Sequence, residues 1–251
     1  MKTLGVVSMK GGVGKTTLSA NLAAAFARRG GRVAIVDLDP QNAIAWHFSE
    51  HAAQFRGICK AAAAGRGLGT PHQIDDGNLW VFPYGPSTLH ERRAFEQMLR
   101  EDTGWLGERL RGLSHEFNLV LIDTPPGHTV YLRQTLRAAN VVLTALLPDM
   151  ASFATVGDME EVLTDALVDK PGMRGLYVVN QFEPGDTLAE DIVNSLMARF
   201  GNRFLPTLVH RDELVAESLA LHTTVRNYAT YSQASRDIDL LAARLERFVD
   251  P

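Results

Sequence analysis

The residues most suited to chemistry in this sequence lie in one glycine-rich stretch near its start, MKGGVGKTTLSANLA, residues 9–23. Gly11, Gly12 and Gly14 allow backbone N–H groups to turn inward around phosphate oxygens, because no Cβ atom obstructs them. In such a loop the lysine before the helix, Lys15, reaches the β- and γ-phosphates of a nucleotide, and the hydroxyl of Thr16 ligates Mg²⁺. An apolar run precedes the stretch and a helical pattern follows it, as in other phosphate-binding loops. The stretch therefore predicts a nucleotide site that contains Mg²⁺.

The loop differs from the common phosphate-binding pattern at its first position. That pattern begins with glycine, whereas this loop has Met9 there and continues with a second lysine, Lys10. A cation therefore stands at each end of the glycines. The residues that we expect to line the nucleotide are Lys10, Gly11, Gly12, Val13, Gly14, Lys15, Thr16 and Thr17.

Acidic and amide side chains follow three further apolar runs. Asp37 and Asp39 lie in VAIVDLDPQ, Asp123 ends NLVLID, and Asn180 ends LYVVN. Since the carboxyl ends of parallel strands meet at one edge of an open α/β sheet, we expect these side chains near the phosphate loop. We expect the carboxylate of Asp123 to hold Mg²⁺, commonly through water. Capping of a turn is the competing interpretation for Asp37, Asp39 and Asn180.

Short apolar runs alternate with amphipathic segments, which is the pattern of a parallel sheet wrapped in helices. The predicted strands span residues 4–8, 33–37, 79–83, 119–123, 141–147, 176–180 and a stretch near 205–209. The predicted helices span residues 15–29, much of 90–115, 129–139, 153–167, 188–200, 212–221 and 234–249. We interpret the Gly-rich stretch 61–77 as a surface connection, or alternatively as a mobile functional segment. The pattern predicts a single α/β domain over residues 1–251, with a doubly wound, mostly parallel sheet flanked by helices.

The composition limits the class of protein. The net charge is −4, so a contact with nucleic acid or anionic lipid would need a local basic patch. Cys59 is the only cysteine, which excludes an intrachain disulfide and a cysteine-ligated metal site within one chain, and favours a reducing compartment. The longest apolar run, residues 141–147 with one threonine in it, is far shorter than a membrane span, and the first residues show no secretion-signal pattern. We therefore expect a cytoplasmic protein without a membrane segment of its own.

The run KGGVGKTT, residues 10–17, resembles the deviant phosphate-binding loop of the ParA/MinD family of ATPases. The resemblance covers essentially the full length and implies a P-loop NTPase fold of the SIMIBI type, with ATP and Mg²⁺ as cofactors. It also implies that two ATP-loaded subunits form a homodimer, in which Lys10 crosses the interface to phosphate on the partner while Lys15 serves its own nucleotide. A cation that acts across an interface is present only when two subunits meet, which suits a slow, partner-regulated switch.

The same resemblance implies roles for other residues. Asp39 matches the residue that positions or activates the attacking water, and the expected catalytic residues are Lys10, Lys15 and Asp39. The residues implied for the metal and its shell are Thr16, Asp37, Asp39 and Asp123. The resemblance places the adenine base next to Asn180, at the end of a strand, where asparagine reads the edge of the base. The turn 206–212 is expected to close over the base, and the residues expected there are Pro206 and Asp212.

Several branches of this family are weighed against one another. A partitioning ATPase binds DNA non-specifically, but residues 196–251 hold seven Arg and seven Asp or Glu, so DNA binding is kept as the alternative function without a strong basic patch to favour it. A division-site ATPase ends in a membrane helix, whereas DIDLLAARLERFVDP fits better as a helix packed on the domain. A reductase with an iron–sulfur cluster between subunits needs two cysteines per chain, and one is present. Related ligases and synthetases exist, but no substrate site for them is identifiable.

The last third of the chain resembles the cellulose-biosynthesis branch of the family, the BcsQ proteins. The most specific piece is the block HRDE, residues 210–213. A favourable charge at a helix start explains the acidic pair of this block but not its histidine and arginine. The match is weaker across residues 43–113. The resemblance implies an ATP-dependent switch that assembles or positions the bacterial cellulose synthase at the cytoplasmic face of the inner membrane, with BcsR and BcsE as partners.

Overall fold

Eight strands form one sheet in the computed structural model, which describes residues 1–74 and 77–249. The strands are β1 (Lys2–Val7), β2 (Val33–Asp37), β3 (His72–Ile74), β4 (Leu79–Phe82), β5 (Leu119–Asp123), β6 (Val141–Leu146), β7 (Arg174–Phe182) and β8 (Val209–His210). Their order across the sheet is β3-β4-β2-β5-β1-β6-β7-β8. The edge strand β3 runs antiparallel to β4, and the other paired strands are parallel. The predicted doubly wound, mostly parallel sheet is confirmed.

Helices cover both faces of this sheet. They are α1 (Lys15–Arg28), α2 (Ile58–Ala63), α3 (Leu89–Glu101), α4 (Trp105–Gly112), α5 (Val130–Ala138), α6 (Met150–Ala154), α7 (Val156–Asp169), α8 (Thr187–Phe200), α9 (Glu213–Ala220), α10 (Val225–Tyr228) and α11 (Gln233–Val249). Alternate side chains of β5 show how the faces divide. Leu121 packs in the core formed with α1 and α11, whereas Val120 and Ile122 pack in the core formed with α3 and α4. Because both faces are buried, the central strands read as unbroken apolar runs.

The predicted elements agree with the structure except where an element is short or interrupted. The strand β3 was not predicted, because three residues at an antiparallel edge carry too little pattern. It lies in the stretch 61–77, whose residues 75 and 76 are outside the described part of the chain. The strand predicted near residues 205–209 begins only at Val209, after a single parallel bridge between Tyr177 and Phe204.

Two predicted helices are each divided in the structure. The segment 90–115 forms α3 and α4, and α3 starts early because Thr88 and Glu91 form a capping box. The segment 153–167 forms α6 and α7. The Thr155 hydroxyl donates to the carbonyl of Ser152 at 2.8 Å, a local bond that competes with the helical pattern at the break.

The register of the sheet brings the polar strand ends together. Asp37 at the end of β2 pairs directly with Asp123 at the end of β5, and Val6 of β1 pairs with Asp123 from the other side. The phosphate loop leaves β1 at the same edge, so the acids of two strands lie beside it. Among the described residues, no helix combines the length and apolar character that a membrane span requires.

Candidate nucleotide-binding site

The loop between β1 and α1 is held in a shape that depends on glycine. Gly12 and Gly14 have φ angles of 75° and 83°, a left-handed conformation that favours glycine, and α1 begins directly after Gly14. A Cβ atom on Gly14 would lie 2.5 Å from the side-chain nitrogen of Asn180. That Asn180 Nδ2 donates a hydrogen bond of 2.8 Å to the carbonyl of Val13. The end of β7 therefore fixes the loop, and the N-terminus of α1 is available to phosphate.

The hydroxyls at the start of α1 converge on a buried carboxylate. Thr16 Oγ1 donates to Asp123 Oδ2 and Ser19 Oγ donates to Asp123 Oδ1, each at 2.8 Å. Ser19 was not predicted, although its spacing of three from Thr16 puts both on one face of the helix. The predicted proximity of Asp123 to the loop is present in the structure, and its two oxygens are orientated by the helix that carries Thr16 and Lys15.

Burial sets the charges of this cluster. Lys15 is 6% exposed, and burial lowers its pKa while Asp123 and Asp39 oppose that effect. Burial raises the pKa of Asp123 to about 6, against the hydrogen bonds from Thr16 and Ser19 and the charge of Lys15. Burial and then the charge of Asp123 raise the pKa of Asp37 well above its ordinary range. Lys15 is thus the cation next to two carboxyl groups, Asp123 and Asp39, and Asp37 adjoins Asp123; a divalent cation would balance this excess of acidic groups.

The donor set suits Mg²⁺ with much of its water shell retained. In residues 1–74 and 77–249, no three His, Cys, Asp or Glu side chains converge closely enough to hold a metal ion by themselves. Mg²⁺ ordinarily takes one or two protein oxygens together with waters and substrate phosphates. Thr16 and Asp123 are the groups here that fit that arrangement.

The acids after β2 hold a turn. Asp37 Oδ1 accepts the N–H of Asp39 at 2.9 Å, and its Oδ2 accepts the N–H of Ile44 at 3.4 Å. Asp39, which is 7% exposed, accepts the N–H of Gln41 at 2.9 Å. Turn capping, the competing interpretation, therefore describes contacts that both acids make. The metal-shell role of Asp37 and the water-positioning role of Asp39 stay predictions.

The second lysine of the loop is paired within its own chain. Lys10 Nζ lies 2.6 Å from Asp149 Oδ2, and Asp149 also caps α6 by accepting the N–H of Ser152 at 2.7 Å. Although partial burial opposes it, the hydrogen bonds from Lys10 and Ser152 lower the pKa of Asp149. Asp149 was not predicted, because 139 residues separate it from Lys10. The role of Lys10 across a dimer interface stays a prediction.

A cavity of about 350 Å³ adjoins the phosphate loop on the side of β7 and β8. Its walls include Gly14, Thr17, Asn180, His210, Arg211 and Asp212. The predicted base contacts Asn180 and Asp212 are therefore brought together, whereas the exposed Pro206 does not line the cavity. Asp212 builds the wall by accepting hydrogen bonds from the N–H of Leu214 and from the Ser232 hydroxyl. His210 and Arg211 were not predicted as contacts, though their block was singled out as unusual.

Comparison with known proteins identifies the family. The sequence model described as "Cellulose biosynthesis protein BcsQ" matches residues 1–245. The chain belongs to this BcsQ family. Among relatives, the cellulose biosynthesis protein BcsQ of Salmonella typhimurium is 27% identical over 249 residues, which cover 96% of this chain and 93% of that protein. The chromosome-partitioning ATPase Soj of Thermus thermophilus is 29% identical over 244 residues, with 96% and 94% covered.

A solved structure supports the same fold for this BcsQ-family chain. The septum site-determining protein MinD from Pyrococcus horikoshii, complexed with Mg-ADP, aligns with a TM-score of 0.76 and 18% identity over 98% of this chain and 96% of that one. The predicted resemblance to the ParA/MinD ATPases and to their cellulose-biosynthesis branch is confirmed.

Proposed function

We propose that this BcsQ-family chain is a slow ATPase that binds ATP with Mg²⁺ and acts as a dimerising switch. The observation that carries the proposal is the buried Lys15 beside Asp123, at the mouth of a loop shaped by Gly12 and Gly14. An ammonium group buried next to carboxylates and open backbone N–H groups is suited to the β- and γ-phosphates. The adjoining cavity has room for a base.

Hydrolysis in this proposal depends mostly on positioning and charge neutralisation. The water oxygen attacks the γ-phosphorus, and the bond from that phosphorus to the oxygen that bridges it to the β-phosphate breaks. One proton of the water stays on the inorganic phosphate, the other passes to solvent, and ADP leaves with the bridging oxygen. Asp39 orientates the water, Lys15 binds the terminal phosphates, and Thr16 with Asp123 holds Mg²⁺. The metal ion, when bound, neutralises charge that develops on the phosphate oxygens. Lys10 leaves Asp149 and reaches phosphate on the second subunit, so that the complete site exists only in the ATP-bound dimer.

The cellular role that we propose is assembly or positioning of the cellulose synthase at the cytoplasmic face of the inner membrane. The support is the family match over residues 1–245 and the relative named as a cellulose biosynthesis protein. We propose BcsR, BcsE and the synthase as partners, which recruit this otherwise cytoplasmic protein to the membrane. ATP binding would control affinity for them through the dimer.

The alternative function, non-specific DNA binding, is favoured by the similarity to Soj. Three arginines near the C-terminal helix form ion pairs with acidic side chains, which weakens the case for a strong phosphate-neutralising surface. Arg28 and Arg226 both pair with Asp239, at 3.0 and 3.3 Å, and Arg29 pairs with Glu246. Acidic partners offset these cations, which reduces the counterion release that drives binding to DNA.

Calorimetry with ATP and Mg²⁺ tests the nucleotide site. Lys15→Ala should abolish binding, while Lys60→Ala, at an exposed lysine 3.9 Å from Glu91, should bind as the unaltered protein does. Unchanged affinity in Lys15→Ala would overturn the phosphate-loop assignment. Circular dichroism of both variants separates lost binding from lost folding.

Capture from native lysate and solubilised membranes tests the cellular role. Asp39→Ala serves as an ATP-locked bait, and both protein and nucleic acid are identified. Recovery of cellulose synthase components that is lost in the Asp39→Ala, Lys10→Ala double variant supports an ATP-gated assembly factor. Recovery of chromosomal or plasmid DNA in their place would replace this proposal with the partitioning function.

A further inference from the structure

The single proton of the Ser19 hydroxyl is donated to Asp123. Ser19 is fully buried one turn into α1, and its Oγ donates to Asp123 Oδ1 at 2.8 Å. A buried hydroxyl is costly without a partner, and serine is a poorer helix former than the alanines at positions 20 and 23–25 of the same helix. The hydrogen bond to Asp123 is therefore what serine adds at this position over alanine.

Two hydrogen bonds from α1 hold the Asp123 carboxylate in one orientation. The backbone of Asp123 is fixed, because β5 pairs with β1 and with β2 at this residue. The last torsion of an aspartate side chain is soft, so a carboxylate turns about it unless both oxygens are held. Thr16 holds Oδ2 and Ser19 holds Oδ1, each at 2.8 Å, so a rotation would break both bonds.

The two hydroxyls lie in different surroundings. Thr16 is half-buried at the opening of the phosphate loop, and its bond to Asp123 is partly buried, whereas the bond from Ser19 is fully buried. A hydroxyl has one proton and two lone pairs. Thr16 can therefore ligate Mg²⁺ through a lone pair while its proton stays on Oδ2. Ser19 is shielded from the loop opening, so it acts on the ion only through Asp123.

We propose that Ser19 is a positioning residue for the magnesium site, which holds Asp123 so that Oδ2 faces Thr16 and the ion. The outer partners of metal ligands orient those ligands, and their removal commonly weakens metal binding by about 10- to 100-fold. In Ser19→Ala the carboxylate keeps only the Thr16 bond, and Oδ1 is buried without its donor, which favours rotation. The inference rests on the proposed nucleotide function and adds to it a residue that acts on Mg²⁺ from behind the carboxylate.

Calorimetry with ADP, at saturating Mg²⁺ and in EDTA, provides the test. The quantity compared is the Mg²⁺ ratio, the ADP association constant with Mg²⁺ divided by that in EDTA. We expect Ser19→Ala to lower this ratio by about 10- to 100-fold. ADP binding in EDTA should be unchanged, because Lys15 and the backbone N–H groups still hold the phosphates. Ser19→Cys places a weaker donor in a similar volume and should give an intermediate ratio.

Two further variants separate positioning from a merely structural role. Ser235→Ala is the matched control, since Ser235 is a helical serine only 1% exposed whose hydroxyl has no hydrogen-bond partner within residues 1–74 and 77–249. It should leave the Mg²⁺ ratio unchanged. In an Asp123→Ala background, Ser19→Ala should have no further effect on the ratio, because Ser19 acts through that carboxylate. Thermal unfolding of each variant shows whether the fold is intact, and Ser19→Cys decides if Ser19→Ala does not fold.

An unchanged Mg²⁺ ratio in Ser19→Ala would overturn this inference. An equal loss of ADP affinity with Mg²⁺ and in EDTA would do the same, as would an undiminished effect in the Asp123→Ala background. Each of these results would leave the nucleotide function standing. Failure of the unaltered protein to bind ADP at all would remove both.

Discussion

Releasing Lys10 from Asp149 should strengthen the ATP-bound dimer. In the proposed dimer, Lys10 would have to leave this ion pair before it reaches phosphate on a second subunit. Asp149→Asn removes the negative charge but keeps a side-chain oxygen that can cap α6, since asparagine is as good an N-cap as aspartate. The substitution therefore perturbs the ion pair and leaves the helix start in place.

The size of the effect follows from the exposure of the pair. The side chains of Lys10 and Asp149 are 28% and 42% exposed, and partly exposed pairs of this kind contribute about 0.2–1 kcal/mol. The proposed dimer would require two such pairs to break, one per subunit, for a total of about 0.4–2 kcal/mol. The dimer dissociation constant should thus fall roughly 2- to 30-fold in Asp149→Asn.

Sedimentation velocity with a non-hydrolysable ATP analogue measures this constant. Asp186→Asn is the matched control, because Asp186 caps α8 by accepting from the N–H groups of Leu188 and Ala189. It should not change dimerisation. In a Lys10→Ala background, Asp149→Asn should produce no gain. A weaker dimer in Asp149→Asn, or an equal gain without Lys10, would refute the reasoning.

Three further predictions concern hydrolysis and stability. Asp39→Ala should bind ATP, fail to hydrolyse it and accumulate as dimer; a strictly monomeric variant at saturating ATP in light scattering would contradict the dimer mechanism. Burial lowers the pKa of His47 to about 4 in the folded protein. The unfolded chain takes up a proton at this histidine below about pH 6.5, whereas the folded protein does so only near pH 4. The stabilisation that the neutral, buried His47 gives is therefore complete above about pH 6.5 and is lost as the pH falls toward 4. Urea unfolding at pH 7 and pH 5 should show an acid-induced loss about 2 kcal/mol smaller in His47→Gln than in the unaltered protein, and equal losses would contradict the assignment. Leu241→Ala, at a fully buried position of α11, should cost about 2–5 kcal/mol of unfolding free energy, and Leu240→Ala, 48% exposed, much less; equal costs would count against this packing.

Local patterns predicted most of what positions the site. The central strands are buried on both faces, so each one is an unbroken apolar run in the sequence. The ends of these runs predicted the ends of β2 and β5, and with them the positions of Asp37 and Asp123. The phosphate loop was recognisable because its glycines and Lys15 act within a few consecutive residues. In each case the physical cause is local in the chain.

Contacts between distant segments were not predictable in the same way. Asp149 meets Lys10 only because β1 and β6 are neighbours in the sheet, and no feature of its own sequence points to the loop. Both residues of the short strand β8, Val209 and His210, line the cavity beside the phosphate loop, whereas Pro206 lies three residues before that strand and is exposed; a strand of two residues has too little pattern to be located in the sequence. Ser19 was missed for a different reason, since serine in a helix has no distinguishing pattern.

Because Asn180 lies so close to Gly14, the phosphate loop and the end of β7 beside the cavity cannot move independently. The amide of Asn180 lies where a side chain on Gly14 would be, and Asn180 is in register with Val209, the neighbour of His210. A shift of the phosphate loop would therefore displace the strand end that borders the cavity proposed for the base. Tripolyphosphate and adenosine, the two fragments of ATP, are accordingly expected to bind cooperatively, each raising the affinity for the other beyond what independent subsites would give.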